Sequence, residues 1–191
     1  MLRQLTIRHR SLPLHSPFRI SRGVRHAAEV VTVELAQGDR TGRGESVPYP
    51  RYGESIASVL DDMEALRKDL CAGMGRDELQ ARRHPGAARN ALDAALWDLE
   101  AKLTGVPVWT QLARPPHVPL VSALTVSLDT PEAMAHAAAR IAEAKLIKIK
   151  VDADDPAARI EAVRGAAPAA KLIVDPNESW SLDILGELMP T

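Results

Sequence analysis

Cysteine and aromatic residues are scarce in this chain. Its 191 residues include one cysteine, Cys71, and only 3% of them are aromatic. A single cysteine excludes an internal disulfide and cannot by itself form a zinc site. Because aromatic residues are few, the core must be built from aliphatic side chains. The length is sufficient for one large domain or two small ones.

An excess of one charge and long apolar runs are also missing. The formal net charge is −1, which gives no sign of a nucleic-acid or membrane surface. No stretch approaches the roughly 20 apolar residues of a membrane span. Residues 1–15 are interrupted by charges and lack the apolar run of a signal peptide. We therefore expect a cytoplasmic protein that binds neither nucleic acid nor membrane.

Two common signatures of catalytic sites are absent. The sequence contains no H-E-x-x-H, and its six histidines are scattered, which argues against a zinc protease site. No Gly-rich loop opens a helix, because the glycines of GRGES, residues 42–46, fall in a predicted hairpin. We therefore expect no nucleotide site.

The first 110 or so residues follow the pattern of an α+β unit. Residues 2–9 alternate between apolar and polar, and residues 30–33 are rich in β-branched side chains before a Gly-Asp turn and a third run. This pattern predicts a three-stranded antiparallel sheet. Apolar spacings of three and four then predict a helix between Ser55 and Gly73 and another that ends at Gly105.

Strands and helices alternate at short spacing in the rest of the chain. Apolar runs at 120–128, 145–152 and 171–175 are each followed by a helical pattern, which is typical of βα units and a parallel sheet. We therefore predict two domains, 1–114 and 115–191. Three such strands make neither a closed barrel nor a comfortable open sheet, so we expect the chain to be part of a longer polypeptide.

One carboxylate stands at the end of a predicted strand. Asp175 follows the apolar run 171–174, and ligands collect at the carboxyl ends of strands in βα folds. A carboxylate there suits Mg²⁺, which prefers hard oxygen ligands. Asp-Pro-Asn is also common turn chemistry, so a simple turn is the alternative interpretation.

Two lysines share one face of the stretch KIKVD, residues 148–152. Lys148 and Lys150 are two residues apart, and side chains alternate between the faces of a strand. On an open edge strand such a pair protects against aggregation. On a strand covered on both faces, the pair is costly unless it lines a site. Neighbouring cations disfavour each other's charge, so one amine could be neutral and accept a proton beside a metal-bound carboxylate.

Three segments resemble the enolase superfamily. Residues 86–112 resemble its cap-to-barrel helix, KIK resembles the K-x-K motif of its second barrel strand, and VDPNESW resembles the third-strand segment with the first metal ligand. The resemblance implies an α+β N-terminal capping domain followed by the first βα units of a modified (β/α) TIM-type barrel, truncated in this chain. Pro176 departs from the family's usual alanine, which should affect the loop path more than the ligand.

Three blocks resemble the dipeptide epimerases within that superfamily: PLHSPFRISRGVR, GRGESVPYPRYGES and GAARNALDAALWDL. The resemblance implies an isomerase that inverts the α-carbon of the C-terminal residue of a dipeptide such as L-Ala-D/L-Glu. The reaction would use lysine acid/base chemistry and an enolate stabilised by Mg²⁺, and would serve the recycling of cell-wall peptides. The alternatives are a muconate-type cycloisomerase or o-succinylbenzoate synthase, or an inactive truncated chain. A homo-oligomer is left open.

The resemblance also implies roles for the residues at the end of the predicted strands. Lys150 matches the second lysine of K-x-K, an acid/base group on one face of the substrate's α-carbon. Lys148 matches the first lysine, a cation near the substrate carboxylate. Asp175 matches the first of three carboxylate ligands to Mg²⁺. The other two ligands and a lysine on the opposite face are expected beyond residue 191.

Substrate-binding residues follow from the same resemblance. Arg25 lies in the loop that closes over the site and is matched to the arginine that meets the side-chain carboxylate of the substrate, with Arg22 as its rival. Thr125 is matched to a substrate-lining threonine on the first barrel strand. Tyr52 belongs to a second closing loop, and Asn177 follows the metal ligand.

Overall fold

A computed structural model describes residues 2–116 and 118–189. The chain forms two compact units. The first comprises Met1–Pro13 and Ala27–His117, and the second comprises Leu14–His26 and Val118–Thr191. Among the helices of the described residues, none is long and apolar enough to cross a membrane.

A three-stranded sheet opens the chain, as predicted. Its strands are β1 (Gln4–Ile20), β2 (Gly23–Gln37) and β3 (Arg40–Ser46), in that order. β2 and β3 are antiparallel, and Val31 lies opposite Ser46. β1 and β2 are longer than the sequence pattern indicated, because both strands continue into residues 14–26.

Among the described residues of the first unit, a short 3₁₀ helix (Pro50–Tyr52) and five α-helices follow the sheet: α1 (Ile56–Ala65), α2 (Arg67–Ala72), α3 (Arg76–Arg82), α4 (Ala87–Thr104) and α5 (Val108–Gln111). Ser55 caps α1 by accepting a hydrogen bond from the Ser58 amide. The single helix predicted before Gly73 is divided at Leu66, which ends α1 and precedes α2. Aliphatic side chains fill the core, among them Val31, Val33, Leu35, Met63, Leu70, Leu79, Leu92 and Leu99.

Helix α4 lies directly on the backbone of β3. A Cβ atom added to Gly44 would lie 1.9 Å from the carbonyl oxygen of Ala91, and one added to Gly42 would lie 2.1 Å from that of Ala95. Ala91 and Ala95 are fully buried. Small residues on both elements are therefore a condition of this packing.

The second unit contains a parallel sheet with strand order β4–β5–β6. The strands are β4 (Leu124–Val126), β5 (Leu146–Lys150) and β6 (Lys171–Asp175), and they alternate with α6 (Pro131–Ala139), α7 (Pro156–Ala166) and α8 (Leu182–Leu188). The buried cluster includes Val126, Ile147, Ile149, Val151, Met134 and Val163. The predicted alternation of strands and helices is confirmed.

Two details of the second unit differ from the sequence-based expectation. The apolar run 120–128 is not one buried strand: pairing with β5 involves only the three residues of β4, and Leu120 is 88% exposed. Residues 14–26, which we call the hairpin tip, belong to this unit because they bond to its loops, as when the Leu128 amide donates to the Arg19 carbonyl. The predicted domain division, 1–114 and 115–191, stays a prediction.

Candidate functional site

One face of the parallel sheet is aliphatic and the other carries polar side chains. In the strand register, Thr125 lies beside Lys148, and Lys150 lies beside Asp175. Ile147 and Ile149 point to the opposite face, where they are fully buried. Because side chains alternate along a strand, the residues predicted to carry the chemistry share one face.

Both lysines contact the same carboxylate oxygen. Lys150 Nζ lies 2.7 Å from Oδ2 of Asp175, and Lys148 Nζ lies 2.6 Å from the same atom. The Lys150 side chain is 9% exposed, and a buried ammonium is stable only when it is paired. The carboxylate between the lysines offsets their mutual repulsion. The neutral amine that the lysine spacing suggested stays a prediction.

The carboxyl group of Asp175 is strongly perturbed. Burial by itself would raise its pKa, but hydrogen bonds from Lys148, from Lys150 and from the Asn177 amide outweigh burial. The pKa of Asp175 is therefore held well below its usual range. A carboxylate that stays ionised under acidic conditions is suited to hold cations.

A turn with unusual backbone geometry follows Asp175. Asn177 and Glu178 adopt φ angles of 49° and 70°, in the left-handed region that glycine and asparagine tolerate best. Such a residue costs about 1–3 kcal/mol and persists where the surroundings hold it. The backbone amide of Asn177 donates to Asp175 Oδ1 at 3.0 Å, and the side-chain Oδ1 of Asn177 accepts from Lys150 Nζ at 2.8 Å. The turn therefore places a second acceptor on Lys150.

The hairpin tip contacts this turn. Ser21 Oγ donates to the Asn177 carbonyl oxygen at 3.4 Å, and Arg22 Nη1 lies 3.3 Å from Glu178 Oε2. Arg25 is an exposed residue of the same tip. The structure thus brings Arg22 to the loop that carries Asn177, and Glu178 is a neighbour that the sequence pattern did not single out.

The remaining predicted site residues lie in different surroundings. Thr125 is exposed on the polar face of the parallel sheet. Tyr52 belongs to the first unit, where the residue is 76% exposed and its ring centroid lies 5.8 Å from that of Tyr49. Tyr52 as a substrate-binding residue stays a prediction.

Asp175 fits one position of a magnesium site. Within residues 2–116 and 118–189, no group of three His, Cys, Asp or Glu side chains is placed to hold a metal ion. Mg²⁺ in proteins is often held by one or two carboxylates, with water and substrate oxygens completing its shell. The chemistry of Asp175, an ionised carboxylate at a strand end, matches that part of the donor set.

A second polar cluster joins the loops after the three strands. Arg159 of α7 donates to the Asp129 carbonyl at 2.9 Å and lies 3.0 Å from Asp152 Oδ1. The Trp180 indole donates to the Asp152 carbonyl at 2.7 Å. These side chains support the loops, and Asp152 and Trp180 lay in stretches that the sequence analysis noted. Nothing in the pattern of α7 distinguished Arg159 from its other polar residues.

A cavity of about 490 Å³ lies between the hairpin tip and these loops. Its walls include Ile20, Ser21 and Val24 from the tip, and Asp129 and Arg159 from the loops and α7. All of these residues belong to the second unit. The hairpin tip therefore forms one wall of an open pocket at the carboxyl end of β4 and β5, where βα folds bind ligands.

The chain resembles known proteins along nearly its whole length. A family model for the N-terminal domain of mandelate racemase / muconate lactonizing enzyme matches residues 2–112. The chain is 44% identical over 181 residues to L-Ala-D/L-Glu epimerase of Escherichia coli (strain K12). The aligned region covers 94% of this chain and 56% of that protein. The chain spans about half the length of the curated relatives it matches.

Solved structures agree with this assignment. An enolase family member from Agrobacterium tumefaciens with homology to dipeptide epimerases, with bound sodium, L-Ala-L-Glu and an ordered loop, has a TM-score of 0.91 and 48% identity over 97% of this chain and 57% of its own. A dipeptide epimerase from Cytophaga hutchinsonii, complexed with Mg and D-Ala-L-Val, has a TM-score of 0.85 and 27% identity over 98% of this chain and 55% of its own. The predicted fold class is confirmed.

Proposed function

The chain belongs to the mandelate racemase / muconate lactonizing enzyme family, and from this premise we propose that the protein carrying it is a dipeptide epimerase. Its substrate is a dipeptide such as L-Ala-D/L-Glu, its cofactor is Mg²⁺, and it inverts the α-carbon of the C-terminal residue. The observation that carries the proposal is the convergence of Lys148, Lys150 and Asp175 on one face at the carboxyl end of a parallel sheet. Relatives with epimerase names support the reaction class.

Lys150 is the group that moves the α-proton in this proposal. Its Nζ is fixed by two acceptors, Asp175 Oδ2 and Asn177 Oδ1, so its position is defined before substrate arrives. The ammonium form of Lys150 could deliver a proton to the α-carbon and the neutral amine could remove one, in each case across a hydrogen-bond distance. Lys148, with a side chain 35% exposed, directs positive charge at the substrate carboxylate.

Asp175 would hold the Mg²⁺ ion. When bound, Mg²⁺ supplies positive charge to the carboxylate oxygens of the substrate. Asp175 is already ionised, and it lies on the same face of the parallel sheet as the two lysines. Inversion also requires an acid on the opposite side of the α-carbon, which we assign, with the other metal ligands, to the part of the enzyme outside this chain.

Recognition of the dipeptide is assigned to the hairpin tip and the strand ends. Arg25 binds the side-chain carboxylate of the substrate's second residue through a charge-assisted contact. Thr125 and Asn177 are assigned to the rest of the site, and a substrate-binding role for Tyr52 stays a prediction from the sequence. The cytoplasmic location, the role in cell-wall peptide recycling and a homo-oligomeric state stay predictions from the sequence.

Proton exchange tests the proposed function directly. The protein is incubated with L-Ala-L-Glu and Mg²⁺ in D₂O, and loss of the glutamate α-proton signal is followed by NMR. Replacing Lys150 with methionine should slow exchange by roughly 10²–10⁴-fold, the usual contribution of general acid–base catalysis. Lys171→Met, on an exposed residue of β6, is the matched control. Undiminished exchange in Lys150→Met with both epimers as substrate would overturn the assignment.

A further inference from the structure

Two contacts join the hairpin tip to a single turn. One is the hydrogen bond from Ser21 Oγ to the Asn177 carbonyl, and the other is the ion pair between Arg22 and Glu178. The partners are about 156 residues apart in the sequence, so the contacts report on folding of the tip onto the sheet. Both contacts end on residues of the turn whose backbone angles are left-handed, Asn177 and Glu178.

The same turn holds the side chain of Lys150. Asn177 accepts from Lys150 Nζ through Oδ1, while its amide donates to Asp175. Asparagine tolerates a left-handed φ angle, but glutamate at φ 70° does so only when something holds it. The ion pair between Arg22 and the Glu178 carboxylate is a contact that can hold Glu178 in this conformation.

We propose that Glu178 is a positioning residue that couples the hairpin tip to Lys150. When Arg22 pairs with Glu178, the turn keeps its left-handed conformation and the Asn177 side chain stays on Lys150 Nζ. When the pair opens, the turn relaxes and Lys150 loses one of its two acceptors. In this proposal Arg22 serves the turn, which leaves recognition of the substrate carboxylate to Arg25.

The exposure of the pair makes it reversible. The Arg22 and Glu178 side chains are 38% and 65% exposed, and pairs of this kind are weak and screened by salt. The coupling can therefore form and break as the tip moves. The role given to Lys150 rests on the proposed function, but the coupling between tip and lysine side chain does not.

Glu178→Gln tests the coupling, because it removes the charge and keeps the shape. Glu187→Gln, an exposed glutamate of α8, is the control. Limited trypsin digestion, read by mass spectrometry at the Arg25–His26 bond, reports on the tip. Reductive methylation of Lys150, relative to exposed Lys171, reports on the lysine. Both rates should rise roughly two- to fivefold in Glu178→Gln, the range that an exposed ion pair supports, and neither should change in Glu187→Gln.

A charge exchange separates pairing from a general loss of structure. The double variant Arg22→Glu with Glu178→Arg should restore both rates toward those of the wild type, and 0.5 M salt should raise the wild-type rates toward those of Glu178→Gln. Unchanged digestion in Glu178→Gln would overturn the tip contact. Faster digestion with unchanged Lys150 methylation would overturn the positioning role. Neither readout depends on epimerase activity, so failure of the proposed function would be seen separately in the exchange assay.

Discussion

Lys150 and Asp175 occupy paired positions on adjacent parallel strands, and the ammonium of one lies 2.7 Å from the carboxylate of the other. The pairing ties the acid/base candidate to the metal-ligand candidate through the backbone of the sheet. A change to either side chain should therefore alter the electrostatic surroundings of the other.

The pH dependence of stability should show this relationship. The pKa of Asp175 is lowered in the folded chain from an ordinary value of 3.8, so the unfolded state binds a proton more readily than the folded state. The stabilisation is fully present above about pH 5 and is lost as pH falls below 3.8 toward the folded-state pKa. Urea denaturation between pH 6 and pH 3 should show a steeper loss of unfolding free energy in the wild type than in Asp175→Asn. Parallel slopes would contradict the prediction.

Asp175→Asn should also weaken Mg²⁺ binding. The substitution keeps the shape of the side chain and removes the charge on which a hard cation depends. Calorimetric titration of the protein with Mg²⁺ should show a steep loss of affinity. Asp183→Asn, on an exposed residue of α8, is the control and should bind as the wild type does. Equal affinity in all three proteins would return Asp175 to the simple turn that the Asp-Pro-Asn sequence allows.

Substrate selectivity should depend on Arg25 more than on Arg22. An enclosed charge-assisted hydrogen bond contributes about 1.5–3 kcal/mol, so Arg25→Met should lower kcat/KM for L-Ala-D-Glu by roughly one to two orders of magnitude. Activity on a dipeptide with an apolar second residue should fall much less. Arg22→Met, measured on the same two substrates, is the comparison. A selective loss in Arg22→Met alone would move the recognition role to Arg22, and equal losses on both dipeptides would mean that the tip only closes the site.

Gly44→Ala should destabilise the first unit severely. The new Cβ would meet the Ala91 carbonyl oxygen at 1.9 Å, and relief requires a shift of α4 from β3. Overpacking of a core typically costs about 1–3 kcal/mol, and a backbone contact leaves little room to adjust. Gly165→Ala, where no atom lies within 4 Å of the added carbon, should be neutral or slightly stabilising because alanine favours the helix. Thermal unfolding of both variants measures the difference.

The sequence predicted features that depend on neighbours along the chain. Alternation over residues 146–150 placed Lys148 and Lys150 on one face because strand geometry fixes that face locally. The division of the first helix at Leu66 was missed, since its apolar spacing continues unbroken through the break. Residues 120–123 were predicted as strand from composition, although only pairing with β5 decides which residues form the ladder.

Contacts between distant segments could not be predicted in the same way. The pairing of Arg22 with Glu178 depends on how the hairpin tip folds back, and neither residue carries a local signal of the other. The shared contact of both lysines with Asp175 depends on the register between β5 and β6. The resemblance to a family indicated that these groups belong together, but not that one carboxylate oxygen would serve both lysines.

The alternation of side chains between the two faces of β5 limits how this site can change. Inserting one residue between Leu146 and Lys148 would turn both lysines into the aliphatic layer that Ile147 and Ile149 now fill. Inserting two would keep the face but move the lysines one full repeat past Asp175. An odd number of inserted residues therefore puts the lysines on the wrong face, and an even number breaks their pairing with Asp175. Insertions that enlarge or reshape the site are confined to the loops after each strand, because side chains there do not have to alternate between two faces of a sheet.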